Sequence, residues 1–230
     1  MFKSILSGYQ AIVFDLDGTI LDDLKIWNDA LKKVMGKYII SETPDWGIEG
    51  LPLLERIQDI KNRNILTLDF DLDWAYTEVN REFFKNFKDV EIRPGFEELA
   101  QRLIKDEKRL VLCSNTDRDV VNEILEKLDL KKYFEIILTR GDVRVGKPAP
   151  DIYLLAQKKL NVIPERILIF EDSVAGFMSA EAAKINSIVV LDPEKYAGEY
   201  GSNVKVFVRD FFDVLNYIDE DLEDYFVANL

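Results

Sequence analysis

Asp15 and Asp17 stand two residues apart, after the apolar run Ile12-Val13-Phe14 and before Gly18-Thr19. A short apolar run free of Gly and Pro reads as a buried strand of a parallel sheet. That places both carboxylates at the strand's C-terminal end, where open α/β sheets hold their sites. Residues i and i+2 share a face of a strand, so the two acids repel, and a divalent cation is the usual remedy. Gly18 lets the backbone turn sharply or come close to a ligand. Taken alone, D-x-D-G-T is also compatible with a strand that ends in an Asp-rich turn.

Composition narrows the chemistry. The 230 residues include no histidine, which removes Ser-His-Asp and Cys-His catalysis, H-E-x-x-H zinc sites and imidazole acid–base work together. Carboxylates, Lys, Ser/Thr and a hard metal remain. The net charge of -13 argues against nucleic acid or an anionic membrane as partner. A phosphate site in so acidic a chain must build its own positive field from a metal, a lysine or backbone N–H groups. Cys113 is the single cysteine, so no intrachain disulfide forms. At the end of a buried strand it reads as an inert core thiol. No basic-then-apolar leader and no run of about 18 apolar residues is seen, so the expected location is cytoplasmic.

The elements that must position this chemistry follow from periodicity. Over residues 22–91, Leu24, Trp27, Leu31, Val34 and Tyr38 recur at helical spacing, as do Tyr76, Val79, Phe83 and Phe87. Leu53, Leu54, Ile57 and Ile60 mark another helix, and Ile65-Leu66-Thr67-Leu68 is ambiguous. The segment reads as a small helical insert, interrupted by turn formers over residues 43–52. Its aromatics, Trp27, Trp46 and Trp74 included, are expected to be mostly core, with Trp46 and Glu49 the better candidates to face a ligand.

From residue 92 strands and helices alternate. Strands are expected at Leu110–Cys113, Ile136–Leu138, Ile167–Phe170, Ile188–Leu191 and Val204–Val208, with Asp117 or Thr116 as N-cap of the helix after the first of these. Such alternation means a parallel sheet with helices on both faces. Every strand then ends on one edge. That edge receives Asp15 and Asp17, Ser114 and Asn115, Lys147 from the loop Gly146-Lys147-Pro148-Ala149-Pro150, and Glu171 with Asp172. Singly each has an ordinary reading as a cap or a solvated charge. Their joint arrival after successive strands points to a site. The tail from Asp219 to Leu230 is acidic and is read as a surface helix or a frayed end.

In order and rough spacing these motifs resemble the haloacid dehalogenase superfamily, in its capped phosphatase and β-phosphoglucomutase-like branch. The matching stretches are Phe14–Thr19, Ser114-Asn115, Gly146–Tyr153 and Phe170–Ser173 with Gly176. The resemblance implies a Rossmann-like, doubly wound parallel sheet core over residues 1–21 and 92–230, with an inserted helical cap over 22–91. It implies Asp15 as a nucleophile forming an aspartyl-phosphate and Asp17 as general acid and base. Ser114 and Lys147 would hold the phosphoryl oxygens, with the N–H groups near Gly18 and Asn115 helping. Mg²⁺ would be held by Asp15, the Asp17 carbonyl and Asp172, with Glu171 direct or through water. The implied activity is phosphomonoester hydrolysis on a small metabolite such as a sugar phosphate, phosphoglycolate or nucleotide.

A phosphomutase shares every core residue, but needs a cap that binds a second phosphate, usually through arginine. Arg56, Arg63 and Arg81 form no obvious pattern for it. A non-catalytic binding or regulatory protein on the same fold is the third reading. A monomer is the default, a dimer possible. One departure is visible: Ala182-Ala183-Lys184-Ile185 stands where the family usually has A-A-G-M, which loses a glycine suited to a left-handed helix end.

Overall fold

The computed structural model describes residues 6, 8–40, 42–47, 49–64, 70–190 and 204–219. Strand β1 (Ala11–Phe14) opens the chain, and β2 (Leu21–Asp22) leads into helices α1 (Leu24–Met35), α2 (Leu53–Arg63) and α3 (Leu72–Lys85). Strand β3 (Glu91–Ile92) leads back out. Then come α4 (Phe96–Lys105), β4 (Arg109–Cys113), α5 (Arg118–Lys127), β5 (Ile136–Leu138), α6 (Asp151–Leu160), β6 (Ile167–Glu171), α7 (Val174–Ala182), β7 (Asn186–Val190), β8 (Val204–Val208) and α8 (Phe211–Asp219). The stretch Ile65–Leu68, Leu191 and the tail beyond Asp219 lie outside the described residues.

β1 is central because its side chains are apolar on both faces. Ile12 and Phe14 join one buried cluster, while Ala11 and Val13 join another on the opposite side. Among the described residues the sheet has six parallel strands in the order β5-β4-β1-β6-β7-β8. The chain leaves β1 toward β4 and β5, then crosses back to β6. The sheet's switch point therefore lies between β1 and β6, where such sheets form a crevice at the C-terminal ends. Register decides what meets there. Phe14 is level with both Leu112 and Phe170, so Asp15 emerges beside Glu171 and the turn at Ser114.

Beneath that edge Phe14 stacks on Phe170 with centroids 4.9 Å apart, and Phe96 and Phe211 meet it edge-on at 5.4 and 5.9 Å. Each buried phenylalanine contributes about 1.5–3 kcal/mol. Phe211 belongs to α8, a helix that the sequence reading did not anticipate. β7 starts before the apolar run that suggested it, because the backbones of Asn186 and Ser187 pair with Leu168 and Ile169 whatever their side chains.

The helical segment packs through one apolar stripe per helix: Trp27, Ala30, Leu31 and Val34 on α1, Ala75, Val79 and Phe83 on α3. The passages into and out of it pair with each other, since β2 and β3 form an antiparallel ribbon with Leu21 opposite Ile92 and Asp22 opposite Glu91. At the end of α7, Lys184 adopts φ 59°, so the left-handed geometry persists without the glycine, at a cost of about 1 kcal/mol.

Candidate active site

Lys147 is the hub of the sheet edge. Its side chain is 1% exposed, and Nζ donates to Asp15 Oδ1 at 2.6 Å, Glu171 Oε1 at 2.5 Å and the Cys113 carbonyl at 2.8 Å. Asn115 aims it. The Asn115 side chain accepts from the Lys147 N–H at 2.9 Å and donates to the carbonyls of Lys147 at 3.1 Å and of Gly50 at 2.7 Å. The amide is thus a strut between the sheet edge and the helical segment. Cys113 is buried as expected; burial pushes its thiol up and out of reactive range.

Glu171 is held on both oxygens. Tyr153 donates its hydroxyl to Oε1 at 2.7 Å, and Oε2 accepts from the N–H groups of Asp172 and Ser173 at 3.1 and 3.2 Å. A side chain at Gly176 would put its Cβ 1.9 Å from that carboxylate, so only glycine fits there. Gly18, at φ +83°, leaves room in the same way for the Asp172 carboxylate, 2.1 Å from where a Cβ would lie. Asp172 Oδ1 accepts from Thr19 Oγ1 at 3.0 Å. Arg93, beside the ribbon, donates to the carbonyls of Gly18 and Thr19 and pins the D-x-D-G-T turn.

Asp15, Glu171 and Asp172 are buried, and each offers an oxygen within 4.8 Å of the others. Burial above all pushes Asp15 up to about 8; Lys147 pulls it down, while Glu171 and Asp17 add to the rise. Burial likewise drives Asp172 well above the carboxylate range, with Asp15 and Glu171 adding to it. Burial works against the charge of Lys147, yet Asp15 and Glu171 outweigh it and hold the ammonium above its ordinary range. Three carboxyl groups therefore face one ammonium in a buried cluster, and a cation would relieve the repulsion that holds Asp15 and Asp172 up. The donors are all oxygen, which fits a hard divalent ion.

Asp17 is half-buried. Its Oδ2 accepts from Thr116 Oγ1 at 2.8 Å and Ser114 Oγ at 3.3 Å, and its Oδ1 from the Trp27 indole N–H at 3.0 Å. Ser114 is fully buried, and its hydroxyl also accepts from the Thr116 N–H at 2.9 Å. Asp23, also fully buried, accepts from the Gly18 N–H at 3.0 Å; burial, then Asp17, pushes it far up.

A cleft of about 320 Å³ opens between this floor and the helical segment, with Trp27, Leu31, Leu51 and Leu53 as its apolar wall. Glu49 lines it as expected, but Trp46 does not. Trp46 lies against the end of α1, 3.7 Å from where a Cβ on Gly36 would stand, and its carbonyl accepts from Arg56. Trp27 is core, yet its N–H reaches the site. Asp117 is the N-cap residue of α5, one of the two expected, but its side chain makes no capping bond, because the carboxylate accepts from the Tyr76 hydroxyl across the cleft at 2.7 Å.

The structure thus brings together Asp15, Asp17, Ser114, Asn115, Lys147, Glu171 and Asp172, with Gly18 shaping the turn. Sequence reasoning missed Asp23, Arg93, Thr116 and Tyr153. Arg56 was weighed only as a phosphate ligand. Thr116 was named only as a helix cap and Tyr153 only within a matching stretch, while Asp23 carried a signal as an acid following the motif closely.

Residues 12–190 match the haloacid dehalogenase-like hydrolase family. The chain is 33% identical over 187 residues to a phosphorylated carbohydrates phosphatase of Thermotoga maritima, covering 78% of this chain and 83% of that protein. Hexitol phosphatase B of Escherichia coli is 28% identical over 200 residues, 80% of this chain and 84% of the relative. CbbY from Rhodobacter sphaeroides, solved in complex with phosphate, shares the fold with a TM-score of 0.76 at 22% identity, over 92% of this chain and 100% of that one. A match spanning most of the chain and a relative one-third identical agree: this protein belongs to the haloacid dehalogenase-like hydrolase family, in its phosphatase and phosphomutase branch.

Proposed function

We propose that the protein is a Mg²⁺-dependent phosphomonoester hydrolase that acts on a small phosphorylated metabolite through an aspartyl-phosphate on Asp15. The observation that carries this is the floor itself: Asp15 Oδ1 fixed by Lys147 Nζ, beside Glu171 and Asp172, at the switch point of the sheet. We read residues 22–91 as a cap over a discontinuous core of residues 1–21 and 92–230.

Asp15, Asp172 and the Asp17 carbonyl are the residues to hold Mg²⁺. Glu171 has both oxygens engaged, which favours contact through water. The bound cation screens the repulsion between a carboxylate and a phosphate dianion. A carboxylate oxygen of Asp15 bonds to phosphorus as the bond to the leaving oxygen breaks, and Asp17 gives that oxygen its proton. Asp17 then takes a proton from water, whose oxygen attacks phosphorus and frees Asp15. Lys147, with Ser114 and the N–H groups near Gly18 and Asn115, steadies the phosphoryl oxygens.

The phosphomutase reading needs a free cation for a second phosphate. Arg63 pairs with Asp59 and Arg81 with Glu78, while Arg56 lines the cleft, donating to Asn28 Oδ1 and the Trp46 carbonyl with Glu49 3.9 Å away. Names of the relatives favour carbohydrate and alditol phosphates as substrates. The test is phosphate release from an aryl phosphate and a panel of sugar, alditol and glycolate phosphates, with Mg²⁺ or EDTA. Mg²⁺-dependent release that Asp15→Asn reduces at least about a thousandfold supports the reading. Release that survives Asp15→Asn refutes it.

A further inference from the structure

Trp27 sits on α1, but its indole N–H serves the site rather than the helical core. The residue is 8% exposed and its ring stacks on Phe83, with centroids 3.8 Å apart and planes 11° off parallel. Phenylalanine would pack in the same way. The indole adds one donor, and a buried indole N–H requires an acceptor. Two acids share it: Asp17 Oδ1 at 3.0 Å and Asp23 Oδ2 at 3.2 Å. Asp23 is itself fixed by the Gly18 N–H and, pushed far up by burial and by Asp17, shares a hydrogen bond with Asp17, so the indole braces a pair of carboxyl groups. The other oxygen of Asp17 is gripped from the loop after β4, by Ser114 and Thr116. Rotation of a carboxyl about its terminal torsion is soft and broad. Donors on both oxygens, from opposite sides of the cleft, are what set its plane.

We propose that Trp27 is a positioning residue for Asp17. Its indole N–H, anchored by the stack on Phe83, orients the carboxyl that protonates the leaving oxygen and ties that step to the seating of α1 over the sheet edge. The inference rests on Asp17 being the general acid. It predicts an effect graded by leaving group. As Asp15 bonds to phosphorus and the phosphorus–oxygen bond breaks, a nitrophenolate departs without a proton, whereas an alkoxide must receive one from Asp17.

Trp27→Phe keeps the stack and deletes the donor. We expect kcat on an alditol phosphate to fall about tenfold, the value of one hydrogen bond. On 4-nitrophenyl phosphate it should stay within about twofold, and KM should hold for both. The ratio is taken within one variant, so partial unfolding cancels. Equal losses on both substrates overturn the proposal. Asp17→Asn is the reference and should show a larger split of the same sign. If it shows none, the acid–base reading of Asp17 fails, and the inference with it. A second measurement needs no turnover. With Trp46 and Trp74 both replaced by Phe, Trp27 is the remaining indole of the three, and Asp17→Ala should shift its emission maximum. Unchanged emission overturns the proposal.

Discussion

At Lys147, three oxygens lie within 2.8 Å of an ammonium that is 1% exposed; at Asn80, across the cleft, a buried amide oxygen has no partner among the described residues. The floor of the site is saturated. Glu171 takes five donors, and each carboxylate is fixed before any substrate arrives. On the wall with Asn80, apolar Trp27, Leu31, Leu51 and Leu53 alternate with Glu49, Arg56 and Tyr76. Under the proposed function, the difference matches what each side would recognise. Charge development at phosphorus is the same for every phosphomonoester, so it rewards preorganised groups. The leaving group varies, and the expectation for the wall is that a ligand hydroxyl donates to the Asn80 oxygen that lines the cleft.

The largest effect should come from breaking the floor. Lys147→Met leaves three buried carboxylates facing one another without a counter-charge. We expect phosphate release to fall at least about a hundredfold and stability to drop by about 3–5 kcal/mol, read by urea denaturation. If Lys147→Met keeps wild-type stability, the floor is not the charged cluster described.

The floor should also announce itself through pH. Folding raises Asp15 from 3.8 to about 8, so the folded chain binds this proton more tightly than the unfolded one. The resulting stabilisation is full below pH 3.8 and is lost as pH rises through about 8. In EDTA the Tm contribution of this site should therefore decline between those limits, and Mg²⁺ should restore more at pH 8 than at pH 5. Melts at several pH values, with and without Mg²⁺, check it; equal Mg²⁺ stabilisation at both ends would contradict it.

On the wall the expected effects are smaller and of another kind. Asn80→Leu removes the unsatisfied oxygen and a half-buried hydrogen bond to the Tyr76 carbonyl. Stability should change by less than about 1 kcal/mol, while KM for the preferred hydroxylated substrate rises about tenfold with kcat held. Steady-state kinetics decide this. Far from both regions, Lys184→Gly relieves a left-handed side chain and should add up to about 1 kcal/mol in a denaturation midpoint without touching kinetics.

The same contrast explains what the sequence disclosed. Asp15, Asp17, Lys147, Glu171 and Asp172 were legible because chemistry dictates their type and parallel strands deliver them to one edge. Gly18 was legible as a turn and Gly176 as part of a matching motif, though the carboxylates that need their emptiness were not. Trp27 looked like any buried aromatic at helical spacing, since periodicity reports which face is buried and says nothing of where one N–H points. Asp117 carried the local signature of a helix cap, and a hydroxyl 41 residues away in sequence claimed its side chain instead. α8 was missed although Asp210 just before it is a start signal, its carboxylate accepting from the Asp213 N–H at 3.1 Å; the ring of Phe211 against Phe14 and Phe170 shows why the helix is there.

The ribbon of β2 and β3 carries a last consequence. Leu21 and Ile92 face each other as an antiparallel pair, and such partners stand about 4.5–5.5 Å apart. Everything from Asp23 to Val90 leaves and returns through that gap, which a two-residue turn is able to span. The helical segment is thus a cassette. Its excision would cut the strut from Asn115 to Gly50 and the bonds from Trp27 to Asp17 and from Tyr76 to Asp117, but no strand of the large sheet. Under the proposed function, the part that would face the leaving group and the edge that would hold the phosphoryl group are joined through this one ribbon.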